Sequence, residues 1–185
     1  MKTALLTGYD DVVFDFDGTL GRLRVDWNGL RVAVAQHFPE ANEPGERLGL
    51  DRLVTWVSAR HGWDGRHRLA ELLYRFEQPG GSPSIELIDA TIACARALDH
   101  FHVISNNLVS TVAHGLALAG LADHCRVIVG FDSVLESKPS GQPYRLLCNA
   151  VRLGPRVLYV GDRESDREFS RRAGVTFLHA SKLCA

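Results

Sequence analysis

The sequence predicts an α/β fold, a doubly wound parallel sheet with a small all-helical segment inserted after the first strand. Three observations carry this expectation. Short apolar runs rich in β-branched and aromatic residues recur along the chain, each ending in polar residues. Stretches with helical periodicity alternate with them, and the alternation is interrupted once, from about Arg22 to Gly81.

The first apolar run is Asp11–Asp17, followed after the interruption by Phe101–Asn107, Arg126–Gly130, Arg156–Asp162 and a short Val175–Leu178. Runs of this kind, with little polar alternation, suit strands covered on both faces, as in Rossmann-like parallel sheets. Between them, Ser84–Leu98, Leu108–Ala119, Gln142–Leu153 and Ser165–Ala173 read as helices. Within the interruption the helix-like pieces are Trp27–Phe38, Leu50–His61 and Arg66–Phe76, separated by Pro44-Gly45 and by Gly62, with no convincing strand. Trp27, Trp56, Trp63, Phe38 and Tyr74 are expected to form the core of this helical piece. The Pro- and Gly-rich segment Gln78–Ser84 is the clearest linker, so the expected division is 1–21 with 82–185, and 22–81.

The composition narrows the functional classes. The 185 residues carry 21 Lys+Arg against 22 Asp+Glu, a formal net charge of −1. That balance gives no global pull toward nucleic acid or an anionic membrane, so any anion must be gripped locally. With 45% hydrophobic and 23% charged residues the chain reads as globular, not disordered. Cys94, Cys125, Cys148 and Cys184 lack metal-ligand spacing and are expected to be reduced and mostly buried. The eight histidines show no helical ligand spacing and are expected to be structural or exposed. No apolar run approaches the ~18 residues of a membrane span, and the start of the chain lacks the pattern of a secretory leader. The cytoplasm is the expected compartment.

The strongest chemical signal is Asp15-Phe-Asp-Gly-Thr19 at the end of the first strand run. Carboxylates at i and i+2 of a strand point to the same side, so Asp15 and Asp17 converge at its carboxyl end, where α/β sheets bind ligands. Gly18 permits a sharp turn there. Gly161-Asp-Arg-Glu-Ser-Asp166 ends another strand and adds Asp162 and Asp166, which share a side if a helix begins between them. Four carboxylates at one edge repel one another, and a hard divalent cation such as Mg²⁺ relieves the repulsion. Ser105-Asn106 sits in the run Phe101–Asn107 directly after Val103-Ile104 and offers a hydroxyl and backbone N–H groups to an anion, while Ser137-Lys138-Pro139 supplies a lone cation after Arg126–Gly130.

The order D-x-D-G-T, Ser, Lys-Pro, G-D-x-x-x-D resembles that of the haloacid dehalogenase superfamily, in its phosphatase branch with a small helical cap between the first and second motifs. The resemblance spans essentially the whole chain. It implies that Asp15 is a nucleophile that becomes an aspartyl phosphate and that Asp17 is the acid/base for leaving group and water. Gly18, Thr19, Ser105 and Asn106 would bind phosphate, and Lys138 would balance the charge of nucleophile and phosphate. The metal would be held by Asp15, Asp17 (through its carbonyl), Asp162 and Asp166. A second carboxyl that is protonated in one step and ionised in the next suits a crowded acidic site.

The segment after the first motif departs from the common pattern. Arg22 and Arg24, together with Arg60 near Gly62, are candidates for reading a carboxylate or second phosphate on the substrate. The expected activity is Mg²⁺-dependent hydrolysis of a small phosphomonoester metabolite, with a phosphoglycolate-like compound as first guess, by a monomer or homodimer. A phosphomutase of the β-phosphoglucomutase kind is the enzymatic alternative. A 2-haloacid dehalogenase typically lacks the second aspartate of the first motif, and Asp17 is present here. A non-catalytic regulatory protein predicts a broken catalytic position, and none is broken.

Overall fold

A computed structural model of the chain describes residues 5–41 and 49–184, with the side chain of Cys184 left out, so the expected turn at Pro44-Gly45 lies outside the described residues. The backbone forms two compact units, Met1–Leu23 with Ile85–Ala185, and Arg24–Ser84.

The larger unit is built on a five-stranded sheet. Its strands are β1 (Asp11–Phe14), β4 (Phe101–Ile104), β5 (Cys125–Val129), β6 (Val157–Gly161) and β7 (Thr176–His179). They lie in the order β5-β4-β1-β6-β7 and pair in parallel throughout. Every residue of β1, β4 and β6 is buried, as the apolar runs require of strands covered on both faces. The chain runs from β1 outward through β4 and β5, then returns to place β6 on the other side of β1. The carboxyl ends of β1 and β6 therefore meet where the winding reverses, which is where such sheets open a ligand crevice.

Helices α3 (Asp89–Arg96), α4 (Val109–Leu118), α5 (Gln142–Ala150) and α6 (Glu164–Ala173) connect the strands, and a single turn, α7 (Ser181–Cys184), follows β7. On one face Val13, Ile104, Val129, Leu147, Val157, Tyr159 and Phe169 make a continuous core. Phe14, at the carboxyl end of β1, meets Phe101, the first residue of β4, edge to face, with centroids 5.4 Å apart.

Three expectations are corrected here. The stretch 84–98 is not one helix: Ile85–Leu87 is strand β3, and α3 starts only at Asp89. Strand β3 pairs antiparallel with β2 (Gly21–Leu23). Three-residue strands are too short to show a period of two, and they exist because the two ends of the insertion pair with each other. Gly21 suits the pairing, because a Cβ there would come within 2.9 Å of the Ile85 side chain.

In the smaller unit α1 (Trp27–His37) begins at Asp26, whose carboxylate accepts the Gly29 N–H at 2.8 Å as an N-cap. α2 (Leu50–Glu77) is broken at Gly62, whose φ of 57° is left-handed backbone that favours glycine. The second correction concerns its core. Phe38 is buried, but Trp27, Trp63 and Tyr74 are exposed at 37%, 46% and 45%, and the buried stripe is Leu30, Val34, Leu53, Val57, Leu69, Leu72 and Leu73. The aromatics are large but lie off the i, i+3, i+4 rows that bury the helices. The cysteines also depart from expectation: Cys94 is buried, Cys125 half-buried and Cys148 exposed, all as free thiols.

Candidate active site

The polar residues that end the central strands gather at one edge. Asp15 follows β1 and is held by its N–H to Val160 O at 2.8 Å. The chain then curls back: the N–H groups of Leu20 and Gly21 both reach Phe16 O, and Gly18 N reaches Gly21 O at 2.7 Å. Gly18 has φ of 87°, and a Cβ there would run into the Asp162 carboxylate. The turn thus requires glycine twice, once for its backbone and once for its closeness to Asp162.

Lys138 is the hub. Its Nζ donates to Asp15 Oδ1 at 2.7 Å, to Asp166 Oδ1 at 2.6 Å and to the Tyr159 hydroxyl at 2.8 Å. All four side chains are buried. Tyr159 in turn donates to Ile104 O at 3.1 Å and approaches Asp166 Oδ1 at 3.2 Å. Asp166 is placed by the start of α6, where its Oδ2 accepts the Arg163 N–H at 3.1 Å. The loop carrying Lys138 is fixed from β4: Asn106 Nδ2 donates to Lys138 O at 3.2 Å and its Oδ1 accepts Lys138 N–H at 3.0 Å. Ser105 Oγ donates to Asn107 Oδ1 at 2.9 Å.

Burial and charge excess set the electrostatics. Burial pushes the Asp15 carboxyl up to about 7, with Lys138 opposing the rise and Asp166 adding to it. Burial also works against the Lys138 charge, but Asp15 and Asp166 outweigh it and hold the ammonium above its ordinary value. Lys138 is therefore charged, and the surplus negative charge falls on the carboxylates. Tyr159 is driven well above its usual range by burial and by the same two carboxylates, so it acts as a hydrogen-bond donor and not as an acid. Asp162 is raised by burial, against the nearby Arg163 and with Asp166 and Asp17 adding repulsion.

One oxygen from each of Asp15, Asp162 and Asp166 lies within 4.8 Å of the others. Asp162 Oδ1 is buried without a hydrogen-bond partner. An orphaned carboxylate oxygen facing two further carboxylates, with one ammonium to balance them, fits a hard divalent cation with oxygen ligands. Thr19 is fully buried and its hydroxyl is likewise unpartnered beside this loop.

The remaining candidates are placed otherwise. Asp17 stays at the edge, where its carboxylate accepts the Leu23 N–H at 2.9 Å and the Arg163 Nη2 donor at 2.8 Å. Arg22 faces Glu86 at 3.9 Å across the β2–β3 pair, both side chains exposed. Arg24 and Arg60 belong to the smaller unit, and Arg60 is exposed. Two members of the site, Tyr159 and Arg163, lie outside the motif positions. Tyr159 sat inside an apolar strand run, where the need of a buried hydroxyl for a partner was the available signal. Arg163 sat between the two aspartates of the last motif, a cation where only the acids drew notice.

Comparison with known proteins places the chain in a family. The family profile described as haloacid dehalogenase-like hydrolase matches residues 84–180. A phosphoglycolate phosphatase of Yersinia pseudotuberculosis is 31% identical over 183 residues, covering 88% of this chain and 77% of that protein. One from Pectobacterium atrosepticum is 26% identical over 189 residues, covering 92% and 80%. Among solved structures, CbbY from Rhodobacter sphaeroides in complex with phosphate shares the fold, with a TM-score of 0.56 at 21% identity, covering 92% of this chain and 85% of that one. The family match and these relatives define a hydrolase on an α/β fold. The chain belongs to the haloacid dehalogenase-like hydrolase family. Among the described residues no helix is long and apolar enough to cross a membrane.

Proposed function

We propose that the chain is a Mg²⁺-dependent phosphatase that hydrolyses a small phosphomonoester through an aspartyl phosphate on Asp15, a phosphoglycolate-like compound being the first candidate. The observation that carries the reading is the buried Lys138 ammonium held by both Asp15 and Asp166, with the unpartnered Asp162 Oδ1 beside them. The phosphoglycolate phosphatases at 26% and 31% identity support the substrate class.

Asp15, Asp162 and Asp166, with the Asp17 carbonyl, are the residues that would hold the cation. Bound there, it would neutralise phosphate oxygens and offset the charge on the carboxylates. An Asp15 oxygen forms a bond to phosphorus as the bond to the leaving alcohol breaks, and Asp17 gives that alcohol its proton. Asp17 then takes a proton from water, which attacks phosphorus and returns Asp15 as carboxylate with free phosphate. Lys138 orients Asp15 and counters charge at the transferring group, while Thr19 and Ser105 offer hydroxyls to its oxygens. Residues 22–81 serve as the cap over the site in this reading, and Arg22, Arg24 and Arg60 as its candidates for reading the substrate.

The test is phosphate release from a panel of small phosphate esters, phosphoglycolate among them, with chelator and Asp15→Asn as controls. Release that requires Mg²⁺ and Asp15 is expected. Release that survives both controls contradicts the proposal.

A further inference from the structure

A second group of ligating side chains lies at the opposite end of the sheet. Asp11 opens β1, His100 immediately precedes β4, and His102 is its second residue. The parallel register sets Val13 opposite His102. Side chains two apart on a strand share a face, so Asp11, His100 and His102 lie on neighbouring strands and one face. Asp11 is about 13 Å along β1 from Asp15. These three residues take no part in the hydrolytic chemistry described above.

We propose that Asp11, His100 and His102 bind a divalent cation of the zinc class through Asp11 Oδ1 and the Nε2 atoms of both histidines. All three atoms lie within 4.8 Å of one another. His100 Nε2 is 3.3 Å and His102 Nε2 3.4 Å from the same Asp11 oxygen. Without a cation both rings hydrogen-bond this oxygen, at separations beyond the usual range of about 2.7–3.2 Å. They match the edge of a tetrahedron, about 3.4 Å, for ligands about 2.0–2.2 Å from a central zinc ion.

The second oxygen of Asp11 is already committed. Oδ2 accepts the Gly154 N–H at 2.7 Å, which aims Oδ1 at the two rings. The His102 side chain is 1% exposed, points its Nε2 into the group, and leaves its Nδ1 without a partner. The buried Nε2, aimed at a carboxylate oxygen beside a second imidazole, is the lone-pair donor such a cation needs. His100 is 24% exposed, which leaves an entry path and room for water as a fourth ligand. Two imidazoles and one carboxylate select zinc, cobalt or nickel over Mg²⁺, which demands oxygen. The site ties the starts of β1 and β4 together. The sequence pattern is His-x-His at the entry to a strand, a spacing unlike that of helical ligand pairs.

The test uses the full chain, stripped of metal and titrated with Co²⁺ in excess Mg²⁺. The expected result is one equivalent of Co²⁺ with the intense visible absorption of tetrahedral coordination, displaced by Zn²⁺, and a thermal midpoint raised by Zn²⁺. His100→Gln should lose the absorption and the shift while keeping its fold and its Mg²⁺-dependent phosphate release. If that variant fails to fold, Asp11→Asn is read in the same way. Wild-type protein without a tetrahedral spectrum, or a spectrum unchanged in a folded variant, overturns the proposal.

Discussion

Arg163 donates from Nη2 to Asp17 Oδ2 at 2.8 Å, a contact that joins the loop after β1 to the loop after β6. The Leu23 N–H takes the other oxygen of Asp17, so this carboxylate is held from two sides. Arg163 is itself more than half exposed, and its Nε stands 4.0 Å from Asp162 Oδ2. One guanidinium therefore spans the acid/base candidate and a metal-ligand candidate.

Arg163→Ala is expected to lower kcat about tenfold by freeing Asp17 from its position, a modest share of the 10²–10⁴-fold that a general acid/base contributes. Arg163→Lys should recover only part of the loss, because an ammonium cannot copy the planar fork. Steady-state kinetics on the best ester of the panel measures both. Equal kcat in wild type and Arg163→Ala would show that Asp17 needs no such support.

Lys138→Met removes the only side-chain ammonium bonded to Asp15 and Asp166 among the described residues. The two buried carboxylates then face each other, and truncating one partner of a buried charge network costs about 3–5 kcal/mol. Denaturant unfolding without divalent cation should show that loss, and added Mg²⁺ should recover part of it. A variant as stable as the wild type would mean that the carboxylates are not both charged in the folded protein.

The Cys125 thiol gives a pH dependence. Burial pushes it up to about 12 from the ordinary 9.0, and its Sγ–H donates to Val127 O at 3.5 Å. The folded chain holds this proton where the unfolded chain has released it. The contribution to stability is therefore intact below pH 9.0 and is lost as pH rises through about 12. Cys125→Ala should flatten the alkaline fall in unfolding free energy, and the exposed Cys148 should alkylate far faster than Cys125. An alkaline limb identical in the two proteins would count against this assignment.

The sheet was legible because buried parallel strands leave unbroken apolar runs, and all five observed strands fall within or beside those runs. The carboxylate cluster was legible because its members sit at fixed offsets from strand ends. Pairings that depend on residues distant in sequence were not. β2 and β3 meet only because the insertion returns to its starting point, and Tyr159 finds Lys138 across 21 positions. The exposed Trp63 and Tyr74 show the same limit from the other side, since residue size suggested burial where helix phase decided against it.

The central claim is that Asp15 is the nucleophile. Acid quenching during turnover, followed by peptide mass analysis, tests it most directly. A phosphoryl group on the Asp15 peptide, absent with chelator and in Asp15→Asn, is the predicted result. Sustained phosphate release by Asp15→Asn, with no adduct on that peptide in the wild type, would contradict it.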